Sequence, residues 1–147
     1  MINVTLQKNN YPYTFTEELK QLRTNIIFSG EEKKVILITS SYAGEGKSTL
    51  ALELSRAFAE LGKNVLLIDA DMRLSNLASK RTSADQTPLG LSHLLSGQVS
   101  LEHILCKTDT PHLYTIFSGR FPPNPSELLT NRKMSTLVSW ARDNFDF

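Results

Sequence analysis

Val35-Ile36-Leu37-Ile38-Thr39-Ser40-Ser41-Tyr42-Ala43-Gly44-Glu45-Gly46-Lys47-Ser48-Thr49 runs from an apolar, β-branched segment through a glycine-rich loop to Lys-Ser-Thr. Leu50-Ala51-Leu52-Glu53-Leu54 continues it with helix-forming residues. Strand, glycine-rich loop, Lys-Ser and helix in that order make a phosphate-binding loop. Glycines let successive backbone N–H groups converge on phosphate oxygens without a Cβ in the way. The helix adds its positive N-terminal end. Lys47 is placed to reach the terminal phosphates, and the Ser48 hydroxyl to ligate Mg²⁺. The pattern G-x-x-x-x-G-K-[ST] is met except at its first position, where Ser41 stands. Ala43, Gly44, Glu45, Gly46, Lys47, Ser48 and Thr49 are therefore the candidate cofactor-binding residues. A plain glycine turn capping an ordinary helix is the competing reading, and the strand before and helix after weigh against it.

A second apolar run, Val65-Leu66-Leu67-Ile68, follows the loop helix, which runs from about Lys47 to Leu61 with Leu50, Leu54, Ala57, Phe58 and Leu61 facing inward. Strand, helix and strand form a βαβ unit, predicting parallel strands and a right-handed crossover. The second run ends in Asp69-Ala70-Asp71-Met72-Arg73. Ligands of open α/β sheets bind at the carboxyl ends of strands. Two carboxylates there, one βα unit after Lys47, suit Mg²⁺ binding and activation of an attacking hydroxyl. Asp69 is the first candidate for metal and base, and Asp71 the second. Arg73 is either a phosphate or subunit contact or a surface arginine.

The 147 residues suffice for one domain with a core, and hydrophobic (40%) and charged (21%) contents are those of a globular protein. A net charge of +1 gives no electrostatic case for nucleic acid. The single cysteine, Cys106, fits a reducing compartment and reads as a small buried hydrophobe. No signal peptide or membrane-length apolar run is visible, so any membrane association is expected to go through a partner. His93, His103 and His112 form no metal-ligand spacing.

In chain order, residues 1–13 read as a flexible arm. Thr14 and Glu17 fit a capping box opening a helix over 14–30, with Leu19, Leu22, Ile26 and Ile27 as its apolar stripe. From periodicity alone this helix packs on its own domain. Residues 35–147 read as the nucleotide-binding core. Residues 74–88 are polar and loop-like, and two short helices are expected over 89–96 and 100–106. Leu113-Tyr114-Thr115-Ile116-Phe117 reads as a third strand. Asn124-Pro125-Ser126-Glu127 has the N-cap, Pro at the first turn and capping-box glutamate of a helix start. That helix continues to about Asp143 with a break near Thr130.

Four stretches together resemble the bacterial tyrosine kinases of capsule and exopolysaccharide synthesis. They are residues 17–26 (EELKQLRTNI), 39–49 (TSSYAGEGKST), 65–73 (VLLIDADMR) and 122–129 (PPNPSELL). The resemblance implies a P-loop NTPase-like α/β fold, a mostly parallel sheet flanked by helices. It implies an ATP- and Mg²⁺-dependent non-specific protein-tyrosine autokinase with Lys47, Asp69 and Asp71 as catalytic residues. Ser48, Asp69 and Asp71 are then the metal group. It also implies a ring-type homo-oligomer in which Glu17, Glu18, Lys20, Arg23 and Asn25 meet a neighbouring subunit. Lys20 stands where the family commonly has arginine, which keeps the charge and loses bidentate pairing. The implied location is cytoplasmic, recruited to the inner face of the plasma membrane by a transmembrane polysaccharide co-polymerase, with no direct membrane insertion and no nucleic acid.

Two family features are absent from the sequence: a second acidic strand ending in Asp-Thr-Pro-Pro, and a tyrosine-rich tail. Tyr11, Tyr13, Tyr42 and Tyr114 form no such cluster. The chain is therefore expected to be an incomplete, C-terminally truncated member with weak or no activity. Two other readings compete. One is a septum-site or partition-type P-loop ATPase, which usually carries a second lysine where Tyr42 stands. The other is a non-enzymatic truncated subunit assembling with a full-length kinase or its membrane activator.

Overall fold

The computed structural model of the chain describes residues 1–81 and 89–147. Among the described residues, four strands are β1 (Ile2–Val4), β2 (Val65–Ile68), β3 (Cys106–Thr108) and β4 (Leu113–Ile116). Five helices are α1 (Tyr13–Phe28), α2 (Lys47–Ala59), α3 (Leu91–Leu95), α4 (Pro125–Leu129) and α5 (Arg132–Asn144). The strands form one sheet in the order β1-β3-β4-β2. β1 runs parallel to β3, and β2 parallel to β4 with Val65 opposite Leu113 and Ile68 opposite Ile116. β3 and β4 are antiparallel. Their short connection needs His112 in the left-handed region, at φ 66°.

Helices cover both faces, and β2 shows why its sequence is apolar throughout. Val65 and Leu67 pack into one cluster with Leu54, Phe58, Leu113 and Phe117. Leu66 and Ile68 pack into the other with Met72, Leu91, Leu95, Ile116 and Leu137. Alternate side chains of a strand point to opposite faces, so a strand covered on both must be apolar at every position. This is the P-loop NTPase-like architecture expected, with one antiparallel pair in a mixed sheet.

Several expectations need correction. Residues 1–13 are not a loose arm. Ile2–Val4 forms an edge strand, Val4 and Leu6 are buried, and the Leu6 N–H donates to Asp109 Oδ1 at 3.1 Å. Arg56 then clamps this segment, its Nη2 donating to the carbonyls of Leu6 (3.2 Å) and Gln7 (3.0 Å). Alternation over so few residues is too short to mark a strand, and the pairing partner lies about a hundred residues away. Helix α1 starts at Tyr13, with Pro12 at its N-cap and no side-chain cap bond from Thr14. The helix expected over 100–106 is a single turn, Leu101–His103, leading into β3.

The largest correction concerns Val35–Thr39. This run makes no backbone hydrogen bonds among the described residues and is not a strand. Val35 is 53% exposed and Leu37 86%. The expected pairing with β2 is not made: β2 pairs with β4 on one edge, while on the other its Leu66 N–H donates to the Phe147 carbonyl and a cavity separates it from Val35–Thr39. An apolar β-branched run encodes a preference for pleated, buried surface, and it becomes a strand only where a hydrogen-bonding neighbour is present. Leu61, expected inward, is exposed, since α2 ends two residues before it at Ala59.

The remaining elements lie close to their sequence reading. α1 buries Leu19 of its expected stripe but leaves Leu22 and Ile27 exposed, α2 spans the loop helix, and the break near Thr130 falls between α4 and α5, where the Asn131 side chain caps α5 by accepting from Lys133 N at 2.7 Å. Residues 74–81 include one helical turn, Ala78–Lys80, while 82–88 of the expected polar loop lie outside the described residues.

Candidate functional site

The site is built where α2 begins and β2 ends. Gly46 sits at the N-cap of α2 with φ 90°, and Gly44 has φ 84°. Both are conformations that side-chain-bearing residues rarely adopt, and the space in front of each is open. The loop therefore turns on backbone freedom, leaving a concavity before the first turn of α2. Tyr42, beside it, is 75% exposed. Glu45 folds back so that Oε2 accepts the N–H groups of Ser41 (3.0 Å) and Tyr42 (3.2 Å). Its carboxylate thus satisfies the loop's leading amides.

Lys47 and Asp71 come together across this concavity, Nζ to Oδ2 at 2.5 Å. Asp71 Oδ1 also accepts from the N–H groups of Arg73 (3.2 Å) and Leu74 (2.9 Å). Burial alone pushes the Asp71 carboxyl up, but Lys47 and these two N–H groups outweigh it and hold it below its ordinary value. Asp69 is pushed the other way by burial, against the pull of hydrogen bonds from the Ser75 hydroxyl and the Asp71 N–H. Two carboxylates two residues apart are thereby set in opposite directions, one fixed as an anion and one more easily protonated.

Asp69, Asp71 and the Ser48 hydroxyl offer hard oxygen donors of the kind Mg²⁺ takes. Arg73 reaches across to Ser126 at the start of α4, Nη2 to Oγ 3.3 Å, tying the strand-end loop to the Asn124–Leu129 segment. Lys80 donates to Thr49 Oγ1 at 3.1 Å in the first turn of α2. Ser75 and Lys80 were not singled out by the sequence, since both sit in a polar stretch without periodicity or motif.

The second group of expected residues lies elsewhere. Lys20 pairs with Glu17 at 3.1 Å on the exposed side of α1, and Glu18 and Asn25 are exposed. Arg23 turns inward, its Nη1 donating to the Ala57 carbonyl at 2.6 Å. Ala57 lies ten residues along α2 from Lys47, about 15 Å at the rise of an α-helix. Within one chain, then, α1 caps the far end of the loop helix and does not enter the site.

Beside the site a cavity of about 600 Å³ separates Val35–Thr39 from the edge of β2 opposite β4. Its walls are largely apolar, with Phe58, Leu67, Val138 and Phe145 among them, and Lys47 and Asp71 at one end. Phe147 reaches into it, stacked on Phe58 at 4.1 Å, with its carbonyl accepting the Leu66 N–H at 3.0 Å.

A family model described as an AAA domain matches residues 33–144. The chain is 42% identical over 133 residues to the tyrosine-protein kinase CpsD of Streptococcus agalactiae, covering 90% of this chain and 58% of CpsD. It is 38% identical over 133 residues to the tyrosine-protein kinase YwqD of Bacillus subtilis, covering 89% of this chain and 55% of YwqD. The chain thus spans little more than half the length of these curated relatives. Among solved structures, the BceF tyrosine kinase domain superposes with a TM-score of 0.78 at 38% identity, over 89% of this chain and 52% of that one. The septum site-determining protein MinD of Pyrococcus horikoshii, complexed with Mg-ADP, superposes with a TM-score of 0.59 at 26% identity, over 75% of this chain and 44% of that one.

Proposed function

The chain belongs to the AAA-domain family and, within it, to the bacterial tyrosine kinases, and from that premise we propose that it carries the ATP site of a tyrosine autokinase controlling capsule or exopolysaccharide synthesis and export. The observation that carries the proposal is the meeting of Lys47 with Asp71 at the end of β2, beside the glycine loop. That pairing holds the lysine at the position where terminal phosphates would lie. On nucleotide binding Lys47 exchanges the Asp71 carboxylate for those phosphates. The backbone N–H groups of residues 43–49 hold the remaining oxygens. Ser48, Asp69 and Asp71 would hold Mg²⁺, which supplies charge neutralisation along the phosphates when bound. Asp69, the more readily protonated carboxylate, is placed to take the proton of the attacking tyrosine hydroxyl. The bond from that oxygen to phosphorus forms as the bond to the ADP oxygen breaks.

The 147-residue chain is proposed to bind ATP weakly and to transfer little phosphate by itself, since Val35–Thr39 leaves the leading edge of the loop unsupported. In this reading α1 is the oligomerisation element of a ring, and a transmembrane co-polymerase recruits the protein to the inner membrane face. No described helix is long and apolar enough to cross a membrane. The likeness to MinD supports a second reading, an ATPase of the septum-site type.

Titration with a fluorescent ATP analogue and Mg²⁺, followed by phosphotyrosine detection, tests the proposal. Saturable binding that Lys47→Met abolishes supports the ATP site, and no binding by the parent chain overturns it. Robust ATP hydrolysis without phosphotyrosine in any assembly favours the second reading. Lys20→Glu is the cleaner probe of ring assembly, because Arg23 is also engaged within its own chain.

A further inference from the structure

Lys80 ends the single helical turn Ala78–Lys80 and belongs to none of the motifs that mark the loop. Its ammonium donates to Thr49 Oγ1 at 3.1 Å, in a partly buried position. Thr49 lies in the first turn of α2, directly after Ser48. Two long-range contacts hold the backbone beneath Lys80 in place. The Gln7 N–H donates to the Lys80 carbonyl at 2.7 Å, and Leu6 forms an antiparallel bridge with Arg81. The N-terminal segment, itself clamped by Arg56, thereby presses this turn against the start of the loop helix.

The N-terminal end of a helix carries about half a positive charge. Lys47 is neutralised by Asp71. Lys80 makes no ion pair among the described residues. A lysine has the reach to place its head in open water. Here the head instead rests on a hydroxyl beside a helix end of the same sign. An anion bound within reach of both would offset this proximity of like charges.

We propose that Lys80 is a second cation of the nucleotide site, contacting with Thr49 the inner phosphates that ADP and ATP share. This rests on the reading of the loop as an ATP site. Lys47 serves the terminal phosphate from the Asp71 side, and Lys80 serves the inner phosphates from the α2 side. A contact to groups common to both nucleotides contributes to the binding of both.

The experiment titrates fluorescent ADP and ATP analogues, with Mg²⁺, into the 147-residue chain and its Lys80→Gln and Lys80→Arg variants at low and high salt. Lys80→Gln is expected to weaken both nucleotides by the same factor, about tenfold, the worth of one charged hydrogen bond. Lys80→Arg keeps the charge and stays within about twofold of the parent. The gap between parent and Lys80→Gln narrows as salt rises, and the melting temperature without nucleotide does not fall. The proposal is overturned if Lys80→Gln binds as the parent does, or if it loses melting temperature and Lys80→Arg fails to restore binding. Binding by the parent that Lys47→Met abolishes and Lys80→Gln leaves intact sinks this inference alone. No binding by the parent sinks the ATP-site reading and this inference together.

Discussion

The ammonium of Lys47 lies 2.5 Å from the Asp71 carboxylate, joining the first residue of α2 to the loop that follows β2. This pair compensates two charges that would otherwise sit part-buried without partners. The same lysine is the one proposed to hold phosphate, and in that reading the pair opens when nucleotide binds. Lys47→Met removes the phosphate contact and leaves Asp71 facing the site as an uncompensated anion. ATP affinity should fall by about a hundredfold or more. A fluorescent-nucleotide titration measures this, with far-UV circular dichroism unchanged.

The two carboxylates predict opposite responses to pH. Asp69 has its folded value raised by burial, so its ionisation disfavours the fold. That cost is absent below the ordinary carboxylate value and complete above the raised one. Asp71 has its value lowered, net of burial, by Lys47 and two N–H groups. Its stabilisation is complete above the ordinary value and is lost as pH falls through the lowered one. Asp69→Asn should therefore raise the melting temperature at pH 7 relative to the parent, with the gain shrinking in acid. Asp71→Asn should lower it at pH 7, with the loss shrinking in acid. Thermal scans across the carboxylate range check both signs.

Arg56 is buried on α2 and bonds the Leu6 and Gln7 carbonyls as well as Glu53, at 2.7 Å. Arg56→Met keeps the apolar stem and removes every one of these bonds. It should cost about 2–4 kcal/mol, because it leaves buried carbonyls unbonded and Glu53 unpaired. Urea denaturation measures the cost. Hydrogen exchange should show β1 opening first.

Phe58 and Leu37 are both large apolar residues in strongly patterned stretches, yet Phe58 is 1% exposed and Leu37 86%. Phe58→Ala should cost about 3–5 kcal/mol, the transfer and cavity terms of a core aromatic. Leu37→Ser should stay within about 0.5 kcal/mol. A Leu37→Ser cost comparable to that of Phe58→Ala would falsify the exposed, unpaired placement of Val35–Thr39. Paired denaturation curves decide between the two outcomes.

The comparison of Leu37 with Leu67 shows how far the sequence could be read. Both lie in apolar runs of the same kind, and both were expected as buried strand residues. Leu67 became one because β4 supplies a ladder for β2 and helices cover both faces. Leu37 did not, because no described residue offers its backbone a partner. The loop glycines were legible because positive φ and a following Lys-Ser leave few alternatives. Ser75 and Lys80 were not, because a serine or lysine in a polar stretch has no local signature, and its meaning comes from the atom it meets.

By itself the sequence determined the features whose cause is local. These are the existence of helix α1, the helix after Gly46, the apolar β2 run, the glycine loop, and the acidic residues Asp69 and Asp71. Each follows from periodicity, propensity or turn chemistry within about fifteen residues. Tertiary structure alone decided the rest. It made a strand of Ile2–Val4, left Val35–Thr39 without one, joined Lys47 to Asp71 and set Lys80 on Thr49. These outcomes depend on hydrogen bonds and ion pairs between residues 24 to more than 100 positions apart. Whether a donor meets an acceptor over that distance is settled by packing, which no single stretch of sequence contains.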